Sequence, residues 1–139
     1  MDLVTAVEFA RANSRSVLTT IRGNGRPQQS NVLHGVGDDG LIRVSITTDR
    51  AKYANLQREP WAALHVSSAD FWSYAVIEAS ADLSPVAAAP DDATVEELVA
   101  LYRTLSGEHP DWDDYRAAMV RDRRVVARLS PRRAYGSVR

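Results

Sequence analysis

Between Ser16 and Leu83 the chain is a succession of short β-forming runs, tight turns and one short helix, a spacing that admits few folds. Ser16 to Arg22 holds Val17, Leu18, Thr19, Thr20 and Ile21, the β-branched and apolar content of a strand. Gly23-Asn24-Gly25 turns the chain into a second run, Arg26 to Val36, so the pair reads as a hairpin. Asp38-Asp39-Gly40 leads into a third strand over 41–47. A short helix from about 50 to 58 starts near Asp49 and is ended by Pro60. Trp61 to Ser67 and Trp72 to Leu83 are two further strands. In the second, Tyr74, Val76 and Glu78 alternate with Ala75 and Ile77, as a strand with two different faces should.

Helices flank this β-rich stretch. Asp2 is placed to cap a first helix running to about Asn13, with Leu3, Val7 and Ala10 on one face. Pro90-Asp91-Asp92 opens the clearest helix, with Val95, Leu98, Leu101, Tyr102 and Leu105 as its apolar stripe and Gly107 as its stop. A second helix, Asp111 to about Arg121, buries Trp112, Tyr115 and Met119. Arg124 to Leu129 is the last strand, which Ala134-Tyr135-Gly136 can continue beyond Pro131. No repeat or linker interrupts residues 1–139, so one domain is expected. Six strands in hairpin order, with helices inserted late, predict a mainly β fold: a small antiparallel barrel, not a βαβ sheet. No G-x-G-x-x-G lies between a strand and a helix, so a Rossmann site is not expected.

Composition narrows the function. A formal charge of −1 argues against bulk binding to nucleic acid or membrane. With no cysteine there is no disulfide, thiolate metal site or cysteine nucleophile, and His34, His65 and His109 lack metal-ligand spacing. The first residues show neither a secretory signal nor a bilayer-spanning run, which predicts a soluble cytoplasmic protein.

Lys52 is the one lysine among seventeen Lys and Arg residues, and it lies with Arg50 in the first turn of the short helix. That turn carries unpaired N–H groups and the positive end of the helix dipole, where a cation is unfavourable by a few tenths to about 1 kcal/mol. An anion, a phosphate above all, would complete the arrangement. Ser45, Thr47, Thr48, Asp49 and Asn55 surround it in sequence, and Asn55 shares a helix face with Lys52. The alternative is a solvated turn with Asp49 as N-cap. The polar run Arg26-Pro27-Gln28-Gln29-Ser30-Asn31-Val32 is either an edge strand in water or a pocket wall, with Gln28, Ser30 and Val32 on one face and Gln29 and Asn31 on the other. Trp72 and Tyr74 share a strand face and serve either a flat ligand ring or a core or dimer contact. Glu96/Glu97 and Asp111/Asp113/Asp114 sit at helix starts as caps and dipole partners.

These stretches together resemble the pyridoxamine 5′-phosphate oxidase-like flavin and deazaflavin proteins of split β-barrel fold, and within them the small actinobacterial branch of coenzyme F420-dependent oxidoreductases. The resemblance runs through Val17-Leu18-Thr19-Thr20, Gly25-Arg26-Pro27-Gln28, Ser30-Asn31-Val32, Val44-Ser45-Ile46 and Arg50-x-Lys52-x-x-Asn55-Leu56. It continues through Trp72-Ser73-Tyr74-Ala75-Val76, Gly107-Glu108-His109 and Asp111-Trp112-Asp113-Asp114-Tyr115-Arg116. It implies a six-stranded split barrel and a homodimer with cofactor grooves at the subunit interface. Arg50 and Lys52 would hold the cofactor phosphate with Ser45 and Asn55, and Gln28, Ser30, Asn31 and Val32 would line the deazaflavin and its ribityl chain. Trp72 and Tyr74 would close the pocket. Coenzyme F420 is the implied cofactor and FMN its alternative. The implied activity is hydride transfer to a small unsaturated molecule, or binding without turnover; no residue is assigned as catalytic.

Overall fold

A computed structural model describes residues 1–139. Seven strands form one antiparallel sheet: β1 (Arg15–Ile21), β2 (Pro27–Leu33), β3 (Gly35–Val36), β4 (Ile42–Thr47), β5 (Trp61–Ser67), β6 (Tyr74–Leu83) and β7 (Arg124–Ser137). Four helices accompany them: α1 (Leu3–Ala12), α2 (Ala51–Arg58), α3 (Ala93–Ser106) and α4 (Trp112–Arg121). The strand order is β2-β1-β5-β6-β7-β4-β3. The two edge strands, β2 and β3, are thus separated in sequence by His34 alone. A flat sheet of that order would hold them at opposite margins, so the sheet must curl until its two edges meet. The edges touch without pairing, which makes a split barrel.

His34 explains why the expected strand 26–36 divides and the count becomes seven where six were expected. Its ring is buried, and Nε2 lies 2.9 Å from the Ala10 carbonyl, so Nε2 carries the proton and donates. Nδ1 then accepts from the Ser16 hydroxyl at 2.7 Å. Burial holds the imidazole below its ordinary pKa and therefore neutral. The chain turns at this pinned residue and passes from one sheet edge to the other.

Packing follows from the alternation of the strands. Leu18, Ile42, Val44, Ile46, Leu64, Ile77, Val125 and Leu129 point into the barrel, where Ala6 and Ala10 let α1 approach closely. A second cluster joins Val95, Leu98 and Val99 of α3, Met119 of α4 and the opposite face of β7 through Val126. β7 runs unbroken past Pro131, and the ladder with β6 shifts register between Glu78 and Ala79, opposite that segment. A bulge tolerates a residue with no N–H. Asp2, Asp92 and Asp111 cap α1, α3 and α4 through their carboxylates. No helix is long and apolar enough to cross a membrane.

Candidate functional site

The short helix begins one residue later than its sequence implies. Arg50, not Asp49, is the N-cap of α2, and no side chain caps it. Asp49 is exposed beside Thr47. Lys52 is half-buried, and Nζ donates to the Ser30 hydroxyl of β2 at 3.3 Å. Its ammonium is held below the ordinary lysine value, first by burial and then by the positive charges of Arg50 and Arg124. Arg124 opens β7, across from Thr47 of β4, and its Nη1 donates to the Ser45 hydroxyl at 3.2 Å. None of these three cations forms an ion pair with a carboxylate. The Nε of Arg124 is buried without any partner.

Lys52 and Arg124 border a cavity of about 350 Å³ at the seam of the barrel. Asn31, Val32 and Leu33 of β2 and Ser45 of β4 form one side. The other side is mainly apolar: Leu101, Tyr102 and Leu105 of α3 with Tyr115 and Met119 of α4. The Tyr115 ring lies 5.0 Å from Tyr102 and 5.6 Å from Trp112, and its hydroxyl is anchored on the Leu98 carbonyl at 3.0 Å. A positive, hydrogen-bonding floor therefore faces an aromatic wall, a combination suited to an anionic ligand with an apolar body. A second cavity, about 520 Å³, lies across β2 on the outer face of the sheet and shares Asn31, Val32 and Leu33 with the first. His65 and Phe71 border it on the far side.

The residues expected at one site are divided among three places. Ser30, Asn31, Val32, Ser45 and Lys52 gather at the seam, with Arg50 exposed beside them. Asn55 is turned into the protein: it donates to Thr20 at 3.1 Å and accepts from Arg58 at 3.0 Å, so it does not share the surface of Lys52. The Gln28 carbonyl oxygen accepts from the same Thr20 hydroxyl at 3.1 Å. Both amides tie β1, β2 and α2 together. Trp72 precedes β6 and is 67% exposed, so it shares no strand face with Tyr74. Tyr74 stacks on His65 at 5.4 Å on the outer face, and neither aromatic borders the seam cavity. Arg124, Tyr102 and Tyr115 stand at the seam instead. Sequence offered no signal for them, because the β4–β7 pairing and the docking of α3 and α4 bring them in from across the chain.

The arginines clustered in sequence from Arg121 to Arg133 are used in different ways. Arg128 binds Glu97 and Asp82, Arg132 donates to Ser80, and Arg133 faces Glu78. Glu97 is no helix cap: it accepts from Arg43 at 2.8 Å and Arg128 at 2.6 Å, clamping α3 to β4 and β7.

Comparison with known proteins agrees with this architecture. An F420 reductase is 22% identical, covers 92% of this chain and 94% of its own, and superposes with a TM-score of 0.70. The heme storage protein of Vibrio cholerae is 16% identical over 99% of this chain and 96% of its own, at a TM-score of 0.71. An FMN-binding protein of Nostoc punctiforme, related to pyridoxamine 5′-phosphate oxidase, is 16% identical over 96% and 81%, at 0.62. At these identities the likeness is one of fold. The family model described as pyridoxamine 5′-phosphate oxidase matches residues 5–137, nearly the whole chain, and the protein belongs to that family.

Proposed function

We propose that the protein is an oxidoreductase that binds coenzyme F420 and passes a hydride from the reduced deazaflavin to a small, electron-poor unsaturated molecule. The observation that carries this reading is the uncapped start of α2. Arg50 and Lys52 stand there without a carboxylate partner, beside a cavity walled by the polar strand β2. Lys52 and Arg50 hold the phosphate, with Ser45 at its edge and Ser30 steadying Lys52. Asn31 and Val32 border the ring and ribityl chain. Gln28 and Asn55 act one step removed, by fixing the strand and helix that carry these groups. The bound deazaflavin supplies the hydride chemistry, while the protein orients it and excludes water. Solvent supplies the accompanying proton in this reading.

The functional unit is a homodimer. Leu33 of β2, Phe71 and Trp72 of the turn before β6, and Tyr135 of β7 expose 50–76% of their surface. Large apolar side chains left in water in this number are what an interaction surface would cover. Pairing there would close each groove with Trp72 and Tyr74 of the partner subunit. Sedimentation at micromolar concentration should give twice the 15.3 kDa chain mass; a monomer would remove the shared-groove arrangement.

FMN also carries a phosphate at the end of its ribityl chain, and a structural neighbour is an FMN-binding protein, so FMN is the second reading. Affinities for coenzyme F420 and FMN, measured side by side on purified protein, decide between them. Preference for FMN overturns the F420 assignment. Turnover of a panel of enones with reduced coenzyme F420 then tests catalysis, and failure across the panel favours a cofactor carrier.

A further inference from the structure

We infer that Arg124 is a third ligand of the anion at the seam, presenting the Nε edge of its guanidinium. The inference rests on the cofactor reading only for the identity of the ligand that carries the anion. Arg124 and Arg128 stand four residues apart on one face of β7, yet they are used differently. Arg128 spends Nε, Nη1 and Nη2 on Glu97 and Asp82. Arg124 spends Nη1 on the neutral Ser45 hydroxyl and leaves Nε buried with no acceptor. A buried donor without an acceptor is destabilising and uncommon in native proteins. Asp49 feels the charges of Arg50 and Arg124, but it is exposed, is engaged with Thr47 and forms no ion pair with Arg124.

Arg124 already borders the cavity. A small rotation about its last side-chain bonds turns Nε and an Nη toward the cavity as a two-pronged fork matched to two phosphate oxygens. Lys52, a point charge on the same cavity wall, supplies the second contact and Arg50 long-range attraction. The site suits a phosphate or phosphodiester, because two cations line one end of a cavity whose far wall is apolar and Arg50 adds its charge from beside it.

The test compares wild-type, Arg124→Gln and Arg124→Lys proteins with four probes: coenzyme F420, FMN, riboflavin and inorganic phosphate. Arg124→Gln should weaken coenzyme F420 and FMN by roughly ten- to a hundred-fold, the range of a charge-assisted hydrogen bond, and leave riboflavin unchanged. Arg124→Lys should recover part of that loss, since it keeps the charge without the fork. Equal cofactor affinity in Arg124→Gln and wild type overturns the role of Arg124 and leaves the cofactor reading standing. Equal losses for FMN and riboflavin make Arg124 structural and also overturn it. If wild type binds neither cofactor, the cofactor reading fails alone and inorganic phosphate decides: a phosphate-dependent rise in Tm that Arg124→Gln abolishes upholds the anion site, and no rise in wild type overturns it. Should Arg124→Gln not fold, Arg124→Lys carries the same comparisons.

Discussion

β4 and β7 pair along their length, and their two ends treat positive charge in opposite ways. At one end Arg43 and Arg128 face each other in register, and Glu97 accepts from both, with Asp39 and Asp82 completing a five-member network. At the other, Arg124 lies opposite Thr47; Arg124 and Lys52 donate to the Ser45 and Ser30 hydroxyls, Arg50 is exposed beside them, and none of the three has a carboxylate in ion-pair contact. The strands, their spacing and their cation content are alike. The difference is what the neighbouring helix presents: α3 brings Glu97 to the first end, while α2 brings another cation to the second. Charge that is matched inside the fold stabilises the fold; charge left unmatched at a cavity is available to a ligand.

The largest expected effect breaks the matched end. Glu97→Ala strands two partly buried guanidiniums and should lower unfolding stability by about 2–3 kcal/mol, below the about 3–5 of a fully buried pair because its partners keep some water. Denaturant titration measures this, and cofactor affinity should not change. A loss under about 0.5 kcal/mol would mean that the network is decorative.

Lys52→Ala gives the converse. Cofactor affinity should fall by about 1–3 kcal/mol while stability holds or rises slightly, because one of several mutually repelling charges is gone. Unchanged affinity with a lower Tm would make Lys52 structural and erase the contrast between the ends.

Acid and alkali should separate the ends without any mutation of the backbone. Hydrogen bonds from Arg43 hold Asp39 down to about 2, and hydrogen bonds from Arg128 and Arg43 lower Glu97. Their stabilisation is full above the ordinary carboxylate range and is lost as pH falls through these depressed values. Lys52 titrates below its ordinary 10.5. In the window from its depressed value up to 10.5 the unfolded chain holds more protons, so stability rises with pH there. Unfolding midpoints against pH should show the acid loss shrink in Glu97→Gln and the alkaline gain vanish in Lys52→Met. Unaltered profiles would show that other groups set both limbs.

The smallest effect concerns the caps. Asp92→Ala removes a cap that accepts from Val95 N–H and should cost about 1 kcal/mol. Asp49→Ala, one residue before the uncapped start of α2, should stay within about 0.5 kcal/mol. A cost of 1 kcal/mol at Asp49 would restore it as a working cap and weaken the case that α2 is left open for an anion.

Much of this comparison was legible in advance. The strands, the three capped helices and the cationic turn at Arg50 and Lys52 follow from local patterns: alternation, turn residues and an Asp before each apolar stripe. The site was legible only where it is local. Ser30, Asn31, Val32 and Ser45 belong to strands flagged in the sequence; Ser30 bonds Lys52, and the other three line the same cavity as Lys52. Asn55 misled, because helical spacing gives its angle relative to Lys52 but not which neighbour its amide will find; Thr20 lay on another element. Trp72 misled because its strand starts at Tyr74, after a turn in which Phe71 takes a positive φ of 75°.

Sequence by itself determined most of the elements, the β1–β2 hairpin and the presence of two cations at a helix start, since each depends on residues within a few positions of one another. Tertiary structure alone decided the rest. Closure of the sheet at His34 set the edges side by side. The β4–β7 register delivered Arg124 to the hydroxyl of Ser45, seventy-nine residues away. Docking of α3 gave Glu97 to one pair of arginines and withheld any such partner from the other. Ion pairing and burial depend on distances across the fold, and no local pattern encodes which of sixteen arginines will be left without a carboxylate.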